Sequence, residues 1–225
     1  MTRRFFSSDP IAHEEVQLTG QEARHLTQVM RAAPGDEVIL FDGTAAEFTA
    51  VVRELARDRV SLEVVQRHEI SREASRRLTL AIALPKGDRQ RTLVEKCTEL
   101  GVDRLIPLET ARGVAQPTNK ALERLRRGVI EASKQCGRNQ LMTIEPAQRF
   151  VDLVDHEPPG VVAHPEGESL SEPWPTLAAI GPEGGFRDDE LDQARARGWR
   201  VISLGNRILR VETAAMGLAA KILLG

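Results

Sequence analysis

The sequence has no hydrophobic run approaching the ~18 residues that a membrane-spanning helix needs. An uncharged, strand-like stretch such as LTLAIALP at 78–85 is far too short. The start, MTRRFFSSDPIAHEEV, is charged, carries an early proline and lacks the apolar core of a secretory leader. A cytoplasmic protein is expected. Cysteine is scarce. Cys97 and Cys136 are far apart and fit neither a metal nor a redox spacing, so buried, reduced thiols are expected. The five histidines form no pattern of the HExxH kind, and no metal is expected. An excess of charge is also missing. The formal net charge is −2, which excludes a molecule that binds nucleic acid by being basic all over. Positive charge is instead local: KALERLRRGVIEASKQCGR at 120–138 holds six cations against two anions. Such a run is a solvated helix face or a stripe facing phosphates, and Arg138 ends it.

What is present is an ordinary balance of 41% hydrophobic and 28% charged residues over 225 positions. That is enough for one large domain or two modest ones. Residues 1–70 read as short strands (EVQL, EVILFDG, AEFTAVVREL, RVSLEVVQ) separated by DG and RD turns. One helix, GQEARHLTQVMR, has Ala23, Leu26, Val29 and Met30 at helical spacing. A small β-barrel follows from this pattern. RHEISREASRR, at 67–77, has no apolar face and reads as a linker.

From residue 78 on the rhythm changes. Strand-like runs (RLTLAIAL, DRLIPLE, GVVAHP, LAAIGP, WRVISLG) alternate with helical ones (RQRTLVEKCTELG, ALERLRRGVIEASKQC, RDDELDQARARG, VETAAMGLAAKILL). That alternation means a parallel sheet covered on both faces. In such sheets ligands collect beyond the carboxyl ends of the strands. Two glycine-rich turns begin there, GPEGGF at 181–186 and LGNRILR at 204–210. Gly181, Gly184, Gly185 and Gly205 leave main-chain N–H and C=O groups bare for a flat, hydrogen-bonding ligand. Neither turn is GxGxxG or GxxxxGK[ST], so the ligand is not a dinucleotide or a triphosphate held by its phosphates.

The pair LAAIGPEGGF and LGNRILRVETAAMGL resembles the signature of RsmE-type methyltransferases of the SPOUT superfamily. Upstream, LPKGDRQRTLVEKCTELGVDRLIPL, IEASKQCGR and HLTQVMRAAPGDEVILFDG are similar to that family in the same order. The resemblance covers nearly the whole chain. It implies an α/β protein with a PUA-like RNA-binding β-barrel over 1–70. A SPOUT methyltransferase domain with a trefoil knot would occupy 71–225 and pair as a homodimer. The methyl donor would be S-adenosylmethionine, and the target N3 of a uridine in 16S rRNA of the small ribosomal subunit. Two other readings stand beside it: a SPOUT ribose 2′-O-methyltransferase, and a ribosome-assembly factor that binds RNA without catalysis.

On this reading the adenosine lies on Ile180, Gly181, Pro182, Gly184 and Gly185 of the first turn. Leu204, Gly205, Ile208 and Leu209 of the second supply further main chain and apolar walls. Arg210 is the candidate for stabilising charge on the uracil, with Glu183 as the alternative, acting as a base. Glu212 and Thr213 are expected to cap the final helix. Phe186 stacks on a base or fills the core. RNA contacts are expected from Lys86 and Arg89, which lie at the same end of the sheet as the turns. Arg3 and Arg4, beside two phenylalanines, form a second set. Arg24, His25 and Arg31 on the first helix form a third, and Arg138 is added from the basic run.

Overall fold

The computed structural model describes residues 3–113 and 117–225. The chain divides into two compact units. One contains residues up to Glu73 together with Ser133–Leu141, and the other Ala74–Ala132 with Met142–Gly225. A boundary near residue 70 therefore leaves out a segment that returns to the first unit much later.

The first unit is built on five strands: β1 (Arg4–Phe6), β2 (Glu15–Thr19), β3 (Glu37–Phe41), β4 (Glu47–Leu55) and β5 (Arg59–His68). Their order is β1-β3-β4-β5-β2, antiparallel except for β1 on β3. β1 and β2 are the two ends of that order and do not pair, so the expected barrel is a half-barrel, open between them. β2 shows alternating burial, with Val16 and Leu18 inward between exposed Glu15, Gln17 and Thr19. The expected single helix is an α-helical turn, α1 (Gly20–Arg24), followed by π-helical winding over His25–Val29. The amide of Met30 reaches the carbonyl of His25 at 3.0 Å. Widening the helix shifts its faces: Ala23 and Leu26 stay buried and Met30 packs on the core, but Val29 is 66% exposed.

A buried polar cluster ties Ser133–Leu141 into this unit. Arg4 donates to Glu47 Oε2 at 2.6 Å and to Asn139 Oδ1 at 2.7 Å. Arg72 approaches the same Glu47 oxygen at 2.8 Å. Hydrogen bonds from Arg72 and Arg4 hold the Glu47 carboxyl down to about 2, although burial pushes the other way. Arg138 pairs with Glu73, and Lys134 with Glu22 at 2.8 Å.

The second unit carries an entirely parallel sheet. Its strands are β6 (Thr79–Ile82), β7 (Arg104–Glu109), β8 (Thr143–Ile144), β9 (Gln148–Arg149), β10 (Val161–Ser169), β11 (Leu177–Ile180) and β12 (Arg200–Ser203). The order is β12-β10-β11-β6-β7-β8, with β9 also on β7. The connecting helices are α2 (Arg89–Glu99), α3 (Asn119–Cys136, whose residues from Ser133 on belong to the first unit), α4 (Phe150–His156), α5 (Asp188–Ala196) and α6 (Val211–Leu223). All four residues of β11 are buried, as a central strand covered on both faces requires. Ala81, Ile106, Val162 and Ala179 of the sheet share a core with Phe150, Phe186, Leu191 and Trp199.

Cys97 lies in this unit's interior, where burial pushes its thiol up to about 12. Cys136 is only partly buried, unlike the expectation. Among the described residues no helix is long and apolar enough to cross a membrane.

Candidate functional site

The carboxyl ends of β10, β11 and β12 open onto a cavity of about 210 Å³. β11 delivers Ile180, and the turn after it delivers Gly181, Pro182, Glu183 and Gly185. The segment after β12 supplies Leu204, Gly205, Arg207, Ile208, Leu209 and Arg210. The two glycine turns thus line a single cavity. Of the nine positions expected to hold the cofactor, Gly184 alone is not part of the lining.

Among the lining residues not anticipated are Ala163, His164 and Pro165 of β10. Pairing between β10 and β12 slips between Ala163 and Glu168, so residues 164–167 bulge out between two paired stretches of the ladder. The strand-end rule that pointed to β11 and β12 applies equally to GVVAHP, and it was the available signal. Val211 and Ala214 of α6 complete the wall.

The first turn is braced from several directions. The amide of Gly185, at φ +69°, donates to the carbonyl of Pro182 at 2.8 Å. Glu190 is 6% exposed and accepts from the amide of Arg187 at 2.8 Å, closing the start of α5. Its other oxygen accepts from the amide of Ala111 at 3.0 Å. Arg112 donates to the carbonyl of Gly184 at 2.9 Å. Gly184 therefore serves as an anchor point for the loop after β7. Neither Glu190 nor Arg112 was singled out from the sequence; the three-residue spacing of a capping box was the only hint at Glu190.

Phe186 is core, not a stacking face. It is 2% exposed and sits 4.5 Å, ring to ring, from Phe150. A Cβ built on Gly181 would stand 2.9 Å from its ring. Glycine at 181 is thus required by the protein's own aromatic. At Gly205, with φ +112°, the same construction meets nothing within 4 Å. What calls for glycine there is the positive φ, not a neighbour in the way.

Arg210 is the N-cap residue of α6, with an extended backbone and its carbonyl accepting from the amide of Ala214 at 2.9 Å. The N-cap side chain makes no capping bond, while Glu212 stands as the acid in the first turn, where the helix dipole favours it. Ile208 is 87% exposed at the cavity wall. Arg89 bonds Glu183 Oε1 at 2.6 Å and stands 3.6 Å from Oε2 of buried Glu212. That bond from Arg89 is the foremost reason the Glu183 carboxyl lies below the usual carboxylate range, and it raises Arg89 in turn.

The arginines and lysine expected at RNA divide. Lys86 is exposed on the loop before α2. Arg3, Arg24 and Arg31 are exposed, the first two paired with Asp36 at 3.2 Å and Asp58 at 2.7 Å. Arg4 and Arg138 are buried, in the ion pairs with Glu47 and Glu73. Their burial corrects the expectation for these two: a guanidinium enclosed by its own carboxylate partner cannot reach a phosphate. His25 packs against Phe5, with ring centres 5.7 Å apart.

Residues 72–223 match the RNA methyltransferase domain family, and residues 18–65 the RNA methyltransferase PUA domain. The chain belongs to the family of ribosomal RNA small subunit methyltransferase E. It is 33% identical to the enzyme of that name from Synechocystis sp., an alignment covering 98% of this chain and 76% of the relative. It is 31% identical to the Bacillus subtilis enzyme, over 88% and 86% of the two chains. Among solved structures, the Neisseria gonorrhoeae methyltransferase E bound to S-adenosyl methionine superposes with a TM-score of 0.90. That match has 28% identity and covers 98% of this chain and 96% of the other.

Proposed function

We propose that this protein is an S-adenosylmethionine-dependent methyltransferase that modifies N3 of a uridine in 16S rRNA of the small ribosomal subunit. The observation that carries the reading is the meeting of both glycine turns in one cavity at the carboxyl ends of a parallel sheet, in a chain of this family. The trefoil knot, a homodimer formed through the second unit and a cytoplasmic location belong to the same reading.

The cavity suits the cofactor. Leu204, Ile208 and Leu209 offer apolar surface for an adenine, and the main chain of Ile180, Gly181 and Gly205 offers hydrogen-bonding groups. That both glycine turns line this one cavity, with apolar side chains beside their main chain, is the clearest sign of fit. When bound, S-adenosylmethionine supplies an electrophilic methyl group for in-line displacement at sulfur.

The protein's own work is placement and electrostatics. Uracil N3 carries a proton and becomes a good nucleophile once it is lost. The negative charge then spreads to O2 and O4. Arg210, exposed at the cavity, is the residue proposed to meet that charge. Glu183 fits the role of base poorly, because Arg89 keeps it ionised below the ordinary range and such a carboxylate accepts a proton weakly. Lys86 is the proposed phosphate contact. The target base leaves its stack to reach the cavity.

The test is transfer of labelled methyl from S-adenosylmethionine to small subunits or 16S rRNA, followed by mass spectrometry of the nucleosides. N3-methyluridine supports the proposal. A ribose-methylated nucleoside, or no incorporation while RNA is still bound, overturns it.

A further inference from the structure

Arg89 is the first residue of α2. A cation there stands against the helix dipole, so the helix itself gives no reason for it. Its surroundings do. Its guanidinium reaches Glu183 at 2.6 Å and Glu212 at 3.6 Å, one carboxylate from the first glycine turn and one from the start of α6. The Glu212 oxygen facing it is buried and makes no hydrogen bond. Arg89 is the cation closest to that oxygen among the recorded ion pairs.

A second arginine competes for the same carboxylate. Glu183 and Arg210 line the same cavity, and the Arg210 charge adds, after that of Arg89, to what holds the Glu183 carboxyl below its usual range. Yet among the described residues the Arg210 side chain makes no hydrogen bond or ion pair. Of these two cations, the carboxylate is bonded to Arg89. Both Arg89 and Glu183 are partly exposed, so their pairing adds little to stability. What it decides is direction: which guanidinium the carboxylate faces.

We infer that Arg89 is a positioning residue, which by engaging Glu183 keeps Arg210 unpaired and available to the uracil. Without Arg89, Glu183 turns to Arg210 and neutralises it, and the reacting base meets an ion pair where it needs a cation. This inference rests on the proposed role of Arg210. It differs from the sequence expectation, in which Arg89 grips a phosphate.

The two roles separate in steady-state kinetics of methyl transfer to small-subunit RNA. Measured side by side are wild type, Arg89→Ala, Glu183→Gln, the double variant Arg89→Ala/Glu183→Gln, and Arg210→Ala. Calorimetric titration with S-adenosylmethionine confirms that each is folded. Arg89→Ala is expected to lower kcat by ~10-fold or more while changing the KM for RNA less than about threefold. Adding Glu183→Gln is expected to bring kcat back to within about threefold of Glu183→Gln alone, because no carboxylate is left to sequester Arg210. A double variant as slow as Arg89→Ala overturns the inference. So does an Arg89→Ala variant with unchanged kcat, or one whose KM rises and whose salt dependence flattens, which is the signature of a lost phosphate contact. If Arg210→Ala keeps full activity, the reading of Arg210 itself is wrong. If Arg210→Ala is inactive and the double variant is not rescued, only the role of Arg89 falls.

Discussion

Glu190 and Ala111 are 79 positions apart in sequence, and the carboxylate of one accepts the amide of the other at 3.0 Å. The same carboxylate closes the start of α5 through Arg187. One buried acid therefore fixes two loops at the edge of the cavity. Replacing Glu190 with Ala leaves two amides without their acceptor and is expected to cost about 1–3 kcal/mol. Urea unfolding measures that cost. Calorimetry with S-adenosylmethionine should show weaker binding, because the 181–187 turn loses its brace. Unchanged stability and affinity would mean that other bonds hold both loops.

Gly181 has no room for a side chain because Phe186 occupies it. Gly181→Val is expected to push the ring out of the core, lowering stability by about 1–3 kcal/mol and weakening cofactor binding. Gly181→Ala should show smaller losses of the same kind, and combining it with Phe186→Leu should recover part of the lost cofactor affinity. A double variant no better than Gly181→Ala would place the obstruction elsewhere.

Glu47 makes stability depend on acid. Its folded pKa of about 2 lies below the ordinary value of 4.5. A depressed carboxyl contributes stability that is complete above the unfolded pKa and is lost as pH falls through the folded one. The window runs from about pH 4.5 down to about pH 2. Glu47→Gln should be less stable at neutral pH by about 3–5 kcal/mol, because Arg4 is left buried without its counter-charge. Its stability should also fall less steeply with acid than that of wild type over that window. Parallel pH profiles would remove Glu47 from the account.

Arg210→Ala is expected to lower kcat by roughly 10²–10³-fold, the usual loss when a preorganised donor to a developing negative charge is removed. Cofactor affinity by calorimetry should survive, since the apolar walls and the glycine main chain are untouched. Loss of affinity with kcat intact would reassign Arg210 to cofactor binding.

Much of the second unit was legible in the sequence because its signals are local. LAAI followed by GPEGG reads as a buried strand stopping at a turn, and β11 ends there. The same reading of LGNRILR placed the other half of the cavity. Partnership over long separations was not legible. Nothing near Arg4 indicates that Glu47 and Asn139 will enclose it, so two arginines beside two phenylalanines looked like an RNA contact. The pattern of Ala23, Leu26, Val29 and Met30 identified a helix, but not the change of winding at His25 that turns Val29 outward. Arg89 was placed at the correct end of the sheet, but the carboxylates that hold it come from two other segments.

The segment Ser133–Leu141 completes a unit whose other residues all precede Ala74. During synthesis the amino-terminal half-barrel emerges first, yet its interior arginine waits for Asn139 before its last partner arrives. A fragment cut after Glu73 is therefore a poor stand-in for the native module. Any attempt to graft this unit onto another enzyme has to carry the distant nine-residue stretch along with it.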